Sequence, residues 1–496
     1  NYSVTSPLIT TQPASQTVKE TMAAASFGIT ALGAQPLTYQ WRFNGTDIPG
    51  ATSSVLTLSN VTASMAGTYN VLVANTYGSA LSSNALLTVT PVLNTAQMTN
   101  LWNLLPGDRS YLTVNSTERG LAYNRTTKNL LLVSRSPSES VVVLDPATGA
   151  EKRFLDVTGI PGSIANVSLG LNQIGVADDG AIFGGGVSVV ASTTPLYIYR
   201  WANDGAGNYP VSVFSGDPAG GLEPGLRWGD NLAVRGAGAN TQILLAPASG
   251  TNVVLLRTAV GSSEFDFQYA VPPAVIAVSG VPSGFAALGV AFGPGANTFW
   301  AKNASNALYL VQFDLAANTG TVLYAYTNPA TLTPVRGIAT DANQKWLAGV
   351  ALDNPDSVNL YDISDLAAGP VLRDQELFTV KNANGTAGGT AAAAFGDDYL
   401  FVLDTNNGIK AFKIDPNYVP ALPAFKITGV VLRNGSDLIL NWPSVSGHTY
   451  QVQAKDVVSG GSWSNLGGPL AGTGATLSFT NNTSSATTKF YRIVGQ

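Results

Sequence analysis

Hydrophobic and polar residues alternate in short runs over residues 7–90, and Gly, Pro and Asn separate the runs. Alternation with a period of two residues is typical of strands that bury one face. Three such runs lie at residues 37–41, 54–58 and 66–71, and their lengths suit the strands of a small sandwich. The pattern therefore predicts a β-sandwich over residues 1–90, with Trp41 in its core.

Individual residues of this segment resemble those of the immunoglobulin-like modules found in exported bacterial multidomain proteins. The resemblance implies that Trp41 is the core tryptophan and that Tyr69, in the run Ala-Gly-Thr-Tyr, is the corner tyrosine. It also places Ile29 and Val71 where family members carry their disulfide, so apolar packing is expected to replace that bond. Met65 stands where the family usually has an acidic residue, so one turn contact is expected to differ.

A loosely repeated unit follows, from residue 108 to residue 415. Each copy has a small residue, an apolar strand, a turn containing Gly, Asp or Asn, and a second apolar strand. The anchors that begin the copies are Gly120, Gly175, Asn231, Gly289, Gly337 and Ala391, at steps of 55, 56, 58, 48 and 54 residues. A later strand recurs in phase with them, at residues 141–145, 196–201, 253–257, 308–314, 358–362 and 409–415.

Repeats of about 40–55 residues with four short strands each are typical of β-propeller blades. Six copies fit the segment, so we expect a six-bladed β-propeller over residues 108–415, with seven blades as the alternative. The sixth copy lacks an outer strand, and Arg109–Val114 is the candidate to supply it and remove an exposed sheet edge. The run Val141–Gly149 resembles the repeats of bacterial surface-layer-type propellers. Residues 91–107 are expected to form a connector with a short helix around Gln97–Leu104.

The remaining sequence predicts a third β-rich part. Pro416, Pro420 and Pro423 mark a stiff linker over residues 416–424. Residues 425–496 are expected to form a small C-terminal β-sandwich, with strands at 425–432, 437–442, 449–454, 475–479 and 489–494. The run Leu438–Pro443 resembles the second strand of fibronectin type III-like modules. The fold class expected for the whole chain is all-β.

The amino-acid composition limits which catalytic and metal-binding side chains the chain can offer. Charged residues make up 11% of the 496 residues, against about 25% in an ordinary soluble chain. There is no Cys, and His448, in a predicted turn, is the only His. Most enzyme chemistry at neutral pH uses His, Cys or clustered carboxylates and lysines, so this composition favours binding or assembly over catalysis. The absence of Cys excludes a disulfide framework and a thiolate metal site. We expect His448 to be a solvated turn residue.

Charge and hydropathy also limit the partners and the location. The net charge of −5 and the lack of a basic run argue against a nucleic-acid partner. No apolar run approaches the about 20 residues that span a bilayer. The opening residues, Asn1–Pro7, are interpreted as a mature terminus left after signal-peptide removal. The expected location is therefore extracellular or at the cell surface.

Several Asp-rich runs are candidate cation sites, but each also fits an ordinary hairpin turn. They are Asp404–Gly408, Asp178–Gly180 and Asp397–Asp398. In Asp404–Gly408 the Gly comes one residue early for a calcium loop and no Glu closes it. We expect no metal and no cofactor. The run Thr340–Trp346 faintly resembles the Asp-box turn of sialidase propellers, and we expect it to be a turn within a blade.

Arg119, Arg227 and Arg336 lie near the starts of predicted inner strands, with Trp228 and Asp230 close to Arg227. In a propeller these positions line one mouth of the central channel, where Arg and Trp side chains could bind an anionic or sugar ligand. The alternative is salt bridging and packing between blades. No His lies in this segment and no spacing singles out a carboxylate pair, so no catalytic residue is predicted.

The first ten residues carry a separate hypothesis. Tyr2, Val4 and Leu8 are apolar within a Ser/Thr-rich stretch, so the segment could add a strand to a sheet of a neighbouring copy. The alternative is that it forms the first strand of its own immunoglobulin-like sandwich.

These features favour a non-enzymatic, extracellular structural or adhesion protein of a bacterial surface. Its expected partners are copies of itself, assembled head-to-tail into a filament or surface layer, and an extracellular glycan or surface protein. One alternative is a propeller that binds a glycan or a peptide. The other is a propeller enzyme such as a polysaccharide lyase or a glycosidase.

Overall fold

The computed structural model describes residues 5–20, 24–90, 92, 97–163, 167–223, 225–257, 272–287, 289–302, 307–327, 332, 335–352, 355–382, 391–415, 426–434, 436–444, 448–456, 462–472, 476–483 and 489–495. These residues form strands and two short 3-10 helices, Ala63–Met65 and Gly238–Asn240, with no α-helix among them, so the all-β prediction is confirmed. Within the same residues, no helix has the length and apolar character needed to cross a bilayer. The chain divides into two compact units, Asn1–Ile414 and Asp415–Gln496.

Residues 5–20 and 24–90 form an immunoglobulin-like sandwich. Its described strands are β1 (Leu8–Thr11), β2 (Gln16–Lys19), β3 (Ala25–Gly28), β4 (Thr30–Leu32), β5 (Thr38–Phe43), β6 (Thr46–Asp47), β7 (Val55–Leu58), β8 (Gly67–Asn75), β9 (Gly78–Leu81) and β10 (Ala85–Thr90). One sheet has the order β2-β10-β8-β5-β6, with β9 paired to β8. The pairs β1-β4 and β3-β7 lie outside that sheet.

The core of this sandwich follows the immunoglobulin pattern. Trp41 is fully buried, and Ile29 and Val71 belong to the same apolar cluster, so packing replaces the disulfide as predicted. The Tyr69 hydroxyl donates a hydrogen bond to the carbonyl oxygen of Met65 at 2.9 Å. Because this corner contact uses a backbone acceptor, it does not depend on the side chain at position 65.

Residues 98–414 contain the repeated units and are called the six-sheet region below, after their six four-stranded groups, two of which join into one sheet. Their strands are β11 (Met98–Leu104), β12 (Glu118–Asn124), β13 (Asn129–Ser134), β14 (Ser140–Leu144), β15 (Glu151–Phe154), β16 (Ser168–Val176), β17 (Ile182–Ser188), β18 (Leu196–Trp201), β19 (Val211–Gly216), β20 (Ala233–Arg235), β21 (Gln242–Leu245), β22 (Asn252–Arg257), β23 (Ala274–Val278), β24 (Val290–Phe292), β25 (Thr298–Ala301), β26 (Leu308–Asp314), β27 (Thr319–Tyr326), β28 (Val335–Thr340), β29 (Trp346–Ala351), β30 (Ser357–Asp362), β31 (Val371–Leu377), β32 (Ala391–Gly396), β33 (Tyr399–Asp404) and β34 (Gly408–Ile414).

These strands form antiparallel groups of four in chain order. The groups are β12–β15, β16–β19, β20–β23, β24–β27, β28–β31, and β32–β34 with β11 added. The third and fourth groups are joined into an eight-stranded sheet by two parallel residue pairs, Ala277 with Thr319 and Val278 with Gly320. Each of the six later strands predicted from the repeat corresponds to the third strand of its group.

The first strands of the six groups, β12, β16, β20, β24, β28 and β32, are called the inner strands. Each is a spatial neighbour of the next, and β32 is a neighbour of β12, so their order is cyclic. The close approach of inner strands explains two Gly anchors. A Cβ on Gly120 would lie 2.7 Å from the amide nitrogen of Ile174. Gly337 has a φ of +60°, and a Cβ there would collide with the backbone of Ala391.

The strand that completes the last sheet differs from the prediction. β11 pairs antiparallel with β34, from Met98 opposite Ile414 to Leu104 opposite Ile409. The expected helix around Gln97–Leu104 is therefore wrong, and so is Arg109–Val114 as the closing strand. The edge of β34 needs hydrogen-bond partners, and a β-strand at 98–104 provides them while burying the side chains of Met98 and Leu104.

Buried asparagines join successive sheets. The Asn231 side-chain amide donates to the carbonyls of Ala286 and Ala287 at 3.1 and 2.9 Å. Asn172 donates to the Gly229 carbonyl at 2.8 Å, and Asn406 accepts from the amide of Ser116 at 2.9 Å. The contact between the immunoglobulin-like sandwich and the six-sheet region is also polar: the Lys19 ammonium donates to the Ser357 hydroxyl at 2.6 Å, and both residues are buried.

The described residues between 426 and 495 form a second β-sandwich. The described strands are β35 (Gly429–Arg433), β36 (Asp437–Pro443), β37 (Thr449–Lys455), β38 (Ser464–Ala471), β39 (Thr476–Asn482) and β40 (Phe490–Gly495), in sheets of order β35-β36-β39 and β38-β37-β40. Trp442 and Tyr450 are fully buried between the sheets. The sequence pattern missed β38. The prediction for His448 is wrong, since only 8% of its surface is exposed.

Candidate functional site

The inner strands surround a cavity of about 380 Å³. All six contribute to its wall, and each does so with two or more consecutive residues, for example Ile174–Asp178 and Leu232–Arg235. Successive side chains of a strand point to opposite faces, so a wall of consecutive residues is made by strand edges. Within the described residues each inner strand is paired on one side only. The cavity is therefore lined by backbone amide and carbonyl groups as well as by side chains.

The end of the cavity formed by the last residues of the inner strands is called the aromatic end. Tyr123, Phe292 and Phe395 form its apolar part, and their exposed fractions are 7, 9 and 8%. Its charged residues are Arg125, Asp178, Arg235 and Asp341. The Arg235 guanidinium lies 4.0 Å above the Phe292 ring and its Nε donates to Gln242 at 2.8 Å. Arg125 is exposed and forms no hydrogen bond or ion pair with any described residue.

Both carboxylates at the aromatic end are engaged by backbone amides. Asp341 accepts from the amides of Lys345 at 2.7 Å and Trp346 at 2.6 Å. Asp178 accepts from the amide of Gly236 at 3.0 Å. Asp341 thus organises the turn between β28 and β29, as expected for the run Thr340–Trp346. Both carboxylates therefore have structural roles in turns at this end of the cavity.

A second, smaller space of about 60 Å³ lies around the beginnings of the inner strands. It shares part of its wall with the larger cavity, at Leu121, Ile174, Leu232, Val290, Ile338 and Ala393. Gln173 and Asp230 line its polar part, and the Gln173 side chain donates to the Asp230 carbonyl at 3.0 Å. We call the residue set Arg119, Arg135, Arg227, Asp230, Lys302 and Arg336 at this side the arginine end.

The structure brings three predicted residues of the arginine end together. Arg227 forms a two-point ion pair with Asp230, with nitrogen–oxygen distances of 2.6 and 2.5 Å. This hydrogen bonding raises the pKa of Arg227. Burial, with repulsion from Arg135 and Arg227, lowers the pKa of Arg119 to about 10, while Asp230 acts in the opposite direction. The arginines therefore repel each other, and nearby carboxylates compensate: Asp230 and Glu118 for Arg119, and Glu139, Glu118 and Asp230 for Arg135.

Arg135 and Lys302 belong to this end but were not predicted. Arg135 donates to the Asn172 side chain at 2.9 Å and to the Ser116 carbonyl at 3.1 Å. Lys302 is buried, with 1% of its surface exposed. Burial and repulsion from Arg336 lower the pKa of Lys302 to about 8. Burial also lowers the pKa of Arg336. Neither Arg135 nor Lys302 lies at the start of an inner strand, so the repeat gave no signal for them.

Trp228 does not line the cavity. It is fully buried, within the apolar cluster around Phe214 and Leu256, and its backbone bridges Ser188 and Pro247. Because no part of its ring is accessible, it cannot stack on a sugar or a cation. The hypothesis that Trp228 contacts a ligand is corrected to a core role.

The Asp-rich turns are held by hydrogen bonds within the protein. Asp404 is fully buried and accepts from the Asn406 amide at 3.1 Å and the Asn407 side chain at 3.0 Å. Asp179 accepts from the Ala181 amide at 3.1 Å, and Asp397 forms an ion pair with Lys128 at 2.9 Å. Among the described residues, no group of three His, Cys, Asp or Glu side chains could hold a metal ion.

Of the predicted assembly strand, only Leu8 lies within the described residues; Tyr2 and Val4 lie outside them. Leu8 belongs to β1, which pairs antiparallel with β4 of the same sandwich, with Leu8 opposite Leu32. This part of the segment is the first strand of its own module, so donation of Leu8 to another copy is not supported by the pairing.

A sequence signal for the aromatic end did exist. Three or four residues after each Gly or Asn anchor stands an aromatic or charged residue: Tyr123, Asp178, Arg235, Phe292 and Asp341. The residues predicted from the sequence lie near the starts of the inner strands, at the arginine end. The residues that line the larger cavity lie three or four positions further along the same strands.

Comparison with known proteins gives a limited result. No family model and no curated protein matches the sequence. Solved structures with similarity include tandem immunoglobulin repeats of Dlar (19% identity, TM-score 0.17, covering 18% of this chain and 50% of that chain). They also include titin M4 (26%, 0.16, 18% and 99%) and the first four immunoglobulin domains of Dscam1 isoform 7.44 (29%, 0.15, 17% and 20%). This chain thus spans half of the Dlar chain, and the likeness covers under a fifth of its own length.

Proposed function

We propose that the chain is an extracellular, non-enzymatic adhesion protein that holds a ligand at the aromatic end of its central cavity. The observation that carries this proposal is the cavity of about 380 Å³ lined by all six inner strands. Its volume falls within the range of about 300–1,000 Å³ typical of small-molecule sites. We assign the protein to a bacterial surface because of the sequence resemblance of its first module.

In this proposal the six-sheet region is a six-bladed β-propeller. Four-stranded antiparallel groups, cyclic order of the inner strands and a strand from before the first group that completes the last one all support it. The proposed boundaries are 1–90 for the immunoglobulin-like module, 98–414 for the propeller and 426–495 for the fibronectin-like module. Such modules before and after a ligand-binding domain in the chain suit a protein that positions a binding site outside a cell.

Non-enzymatic binding is supported by the state of the charged groups. Asp178 and Asp341 at the aromatic end accept hydrogen bonds from turn amides, and Asp230 at the arginine end is paired with Arg227. These three carboxylates are therefore engaged in hydrogen bonds and an ion pair within the protein.

The proposal is tested with labelled full-length protein on glycan and peptide arrays. Ala342 is an exposed residue at the rim of the cavity, and Ala342→Trp should obstruct it without disturbing the core. Ala317→Trp, at an exposed hairpin turn that does not line the cavity, is the matched control. We expect an array signal that Ala342→Trp removes and Ala317→Trp retains, with the ligand recovered chemically intact. Binding that is insensitive to Ala342→Trp, or a cleaved ligand, would contradict the proposal.

A second candidate function is self-assembly, favoured by one strand. Val430, Val431 and Leu432 of β35 are 63, 50 and 60% exposed, and among the described residues β35 pairs only with β36. Exposed apolar edge strands pair readily with other strands. Antiparallel pairing of β35 with its copy, centred on Val431, would place Val430 opposite Leu432 and keep the two Arg433 residues apart.

A polymer needs a second surface, and the exposed pair Leu8 and Leu32 is the candidate for it. The test is sedimentation velocity, followed by electron microscopy of the same samples. We expect Val431→Lys to reduce association, whereas Val371→Lys, an exposed position on β31, should not. Filaments that also lose order with Leu8→Lys would support growth through two alternating self-complementary contacts, one at β35 and one at the Leu8–Leu32 surface. A wild-type protein that stays monomeric at high concentration would exclude self-assembly.

A further inference from the structure

We propose that the ligand of the central cavity is a short neutral saccharide of one or two sugar units. This inference rests on the proposed ligand-binding role of the cavity and specifies the chemical class. Three properties of the cavity carry it: the backbone edges in its wall, the balance of its charges, and the placement of its apolar side chains.

The backbone edges determine which polar groups fit. The six inner strands present both amide donors and carbonyl acceptors along the edges that line the cavity. A ligand that replaces water there must carry hydrogen-bond donors and acceptors close to one another, to pair with neighbouring carbonyl and amide groups. Hydroxyl groups do both, because each has one hydrogen to donate and two lone pairs to accept. A polyhydroxylated ligand therefore satisfies this wall, while an alkyl chain would leave it without partners.

The charges of the aromatic end indicate a neutral ligand. Two cations, Arg125 and Arg235, stand beside two anions, Asp178 and Asp341. Arg235 donates to the carbonyls of Gly295 and Ala296 and to Gln242, so its charge is held at the wall. Arg125 is attracted to Asp397 but donates no hydrogen bond to a described residue, so its guanidinium can donate to a sugar hydroxyl. An anionic ligand would be attracted by two guanidinium groups and repelled by two carboxylates, so it would gain little net electrostatic binding energy.

Small apolar areas complete the wall of the cavity. Ile174 and Ile338 line it, and the mostly buried Tyr123, Phe292 and Phe395 leave 7–9% of their surface exposed at the aromatic end, where the carbon-bound hydrogens of a sugar can pack. Pockets that combine an apolar lining with a few polar groups fix the orientation of a small ligand. The volume of about 380 Å³ is near the lower limit for such sites, which restricts the occupant to one or two units.

The test uses the full chain and a fixed set of compounds in isothermal titration and ligand-observed NMR. Maltose, cellobiose and N,N′-diacetylchitobiose represent neutral saccharides. Sialyllactose and a heparin disaccharide represent anions, decanoate represents alkyl ligands, and trialanine represents peptides. We expect at least one neutral disaccharide to bind, at least tenfold more weakly with Ala342→Trp and unchanged with Ala317→Trp. Arg125→Ala should weaken binding several-fold.

The outcomes separate the saccharide inference from the proposed function. Binding of an anion, decanoate or trialanine that Ala342→Trp abolishes, without binding of a neutral disaccharide, would overturn the saccharide class and leave the cavity as the site. Binding of a neutral disaccharide that survives Ala342→Trp would overturn the cavity as the site. A set of compounds in which nothing binds at millimolar concentration would overturn both.

Discussion

The arginine end has six charged residues and the aromatic end of the central cavity has four, and the two ends use them differently. At the arginine end, Arg227 is paired with the nearby Asp230, and Arg135 donates to Asn172 of the next sheet, so these side chains are engaged within the protein. At the aromatic end, Arg125 has no bonded partner among the described residues, and it stands beside a cavity of about 380 Å³. The difference teaches that a cluster of arginines indicates a binding site only when their hydrogen-bond donors are not already engaged.

The largest expected loss of stability follows replacement of Trp228, and it separates a structural role near the arginine end from a ligand-binding one. Replacement by Ala removes a fully buried indole near the arginine end, which should cost about 3–5 kcal/mol of unfolding free energy. Urea unfolding followed by circular dichroism measures this loss. Trp228→Phe retains a large apolar ring, so it should keep a substantial part of the unfolding free energy that Trp228→Ala loses. A Trp228→Ala protein of wild-type stability that had lost only ligand binding would restore the original ligand-contact hypothesis.

A smaller loss is expected when the arginine end loses its carboxylate. Asp230→Ala leaves Arg227 without its ion-pair partner and removes one of the anions near Arg119. Because Asp230 is 8% exposed and Arg227 is 39% exposed, the cost should lie between those of surface and buried pairs, at roughly 1–3 kcal/mol. The matched control is Asp47→Ala, which breaks the Arg42–Asp47 pair with its 59% exposed carboxylate and should cost about 1 kcal/mol or less. Thermal unfolding of both variants gives the comparison. Equal effects would show that the arginine end is an ordinary surface cluster.

The smallest expected effect depends on pH. The native pKa of Lys302, about 8, lies below the ordinary value of 10.5, so the unfolded chain binds the proton more tightly. Unfolding free energy should therefore rise by about 1–2 kcal/mol between pH 7 and pH 9.5 from this residue alone. Lys302→Met should lack that rise. The measurement is urea unfolding of both proteins across this pH range, and parallel pH profiles would refute the assignment.

Much of the fold could be predicted because its repeat is imposed by packing. Gly120 and Gly337 recur since neighbouring inner strands approach too closely for a Cβ, and the third strand of each group is apolar since both its faces are covered. Trp41 and Tyr69 were predictable in the same way, from positions that an immunoglobulin-like core requires.

The parts that could not be predicted depend on contacts distant in sequence. Met98–Leu104 becomes a strand because β34, about 310 residues later, offers it an edge, which local pattern does not encode. Lys302 directly follows β25, the second strand of the fourth group, and not an inner strand. The spacing of the inner-strand anchors therefore gave no prediction for it. Trp228 was wrongly predicted to contact a ligand because it stands beside Arg227 and Asp230 in the sequence. The apolar cluster that buries its ring comes from residues distant in sequence.

The most direct test of the account is a crystal structure of the protein with the tightest-binding neutral disaccharide. The account predicts sugar density at the aromatic end, in contact with Tyr123 and Phe292, with hydrogen bonds to inner-strand backbone groups and with Arg227 still paired to Asp230. Sugar density at the arginine end, with the Arg227–Asp230 pair opened to receive it, would contradict the account.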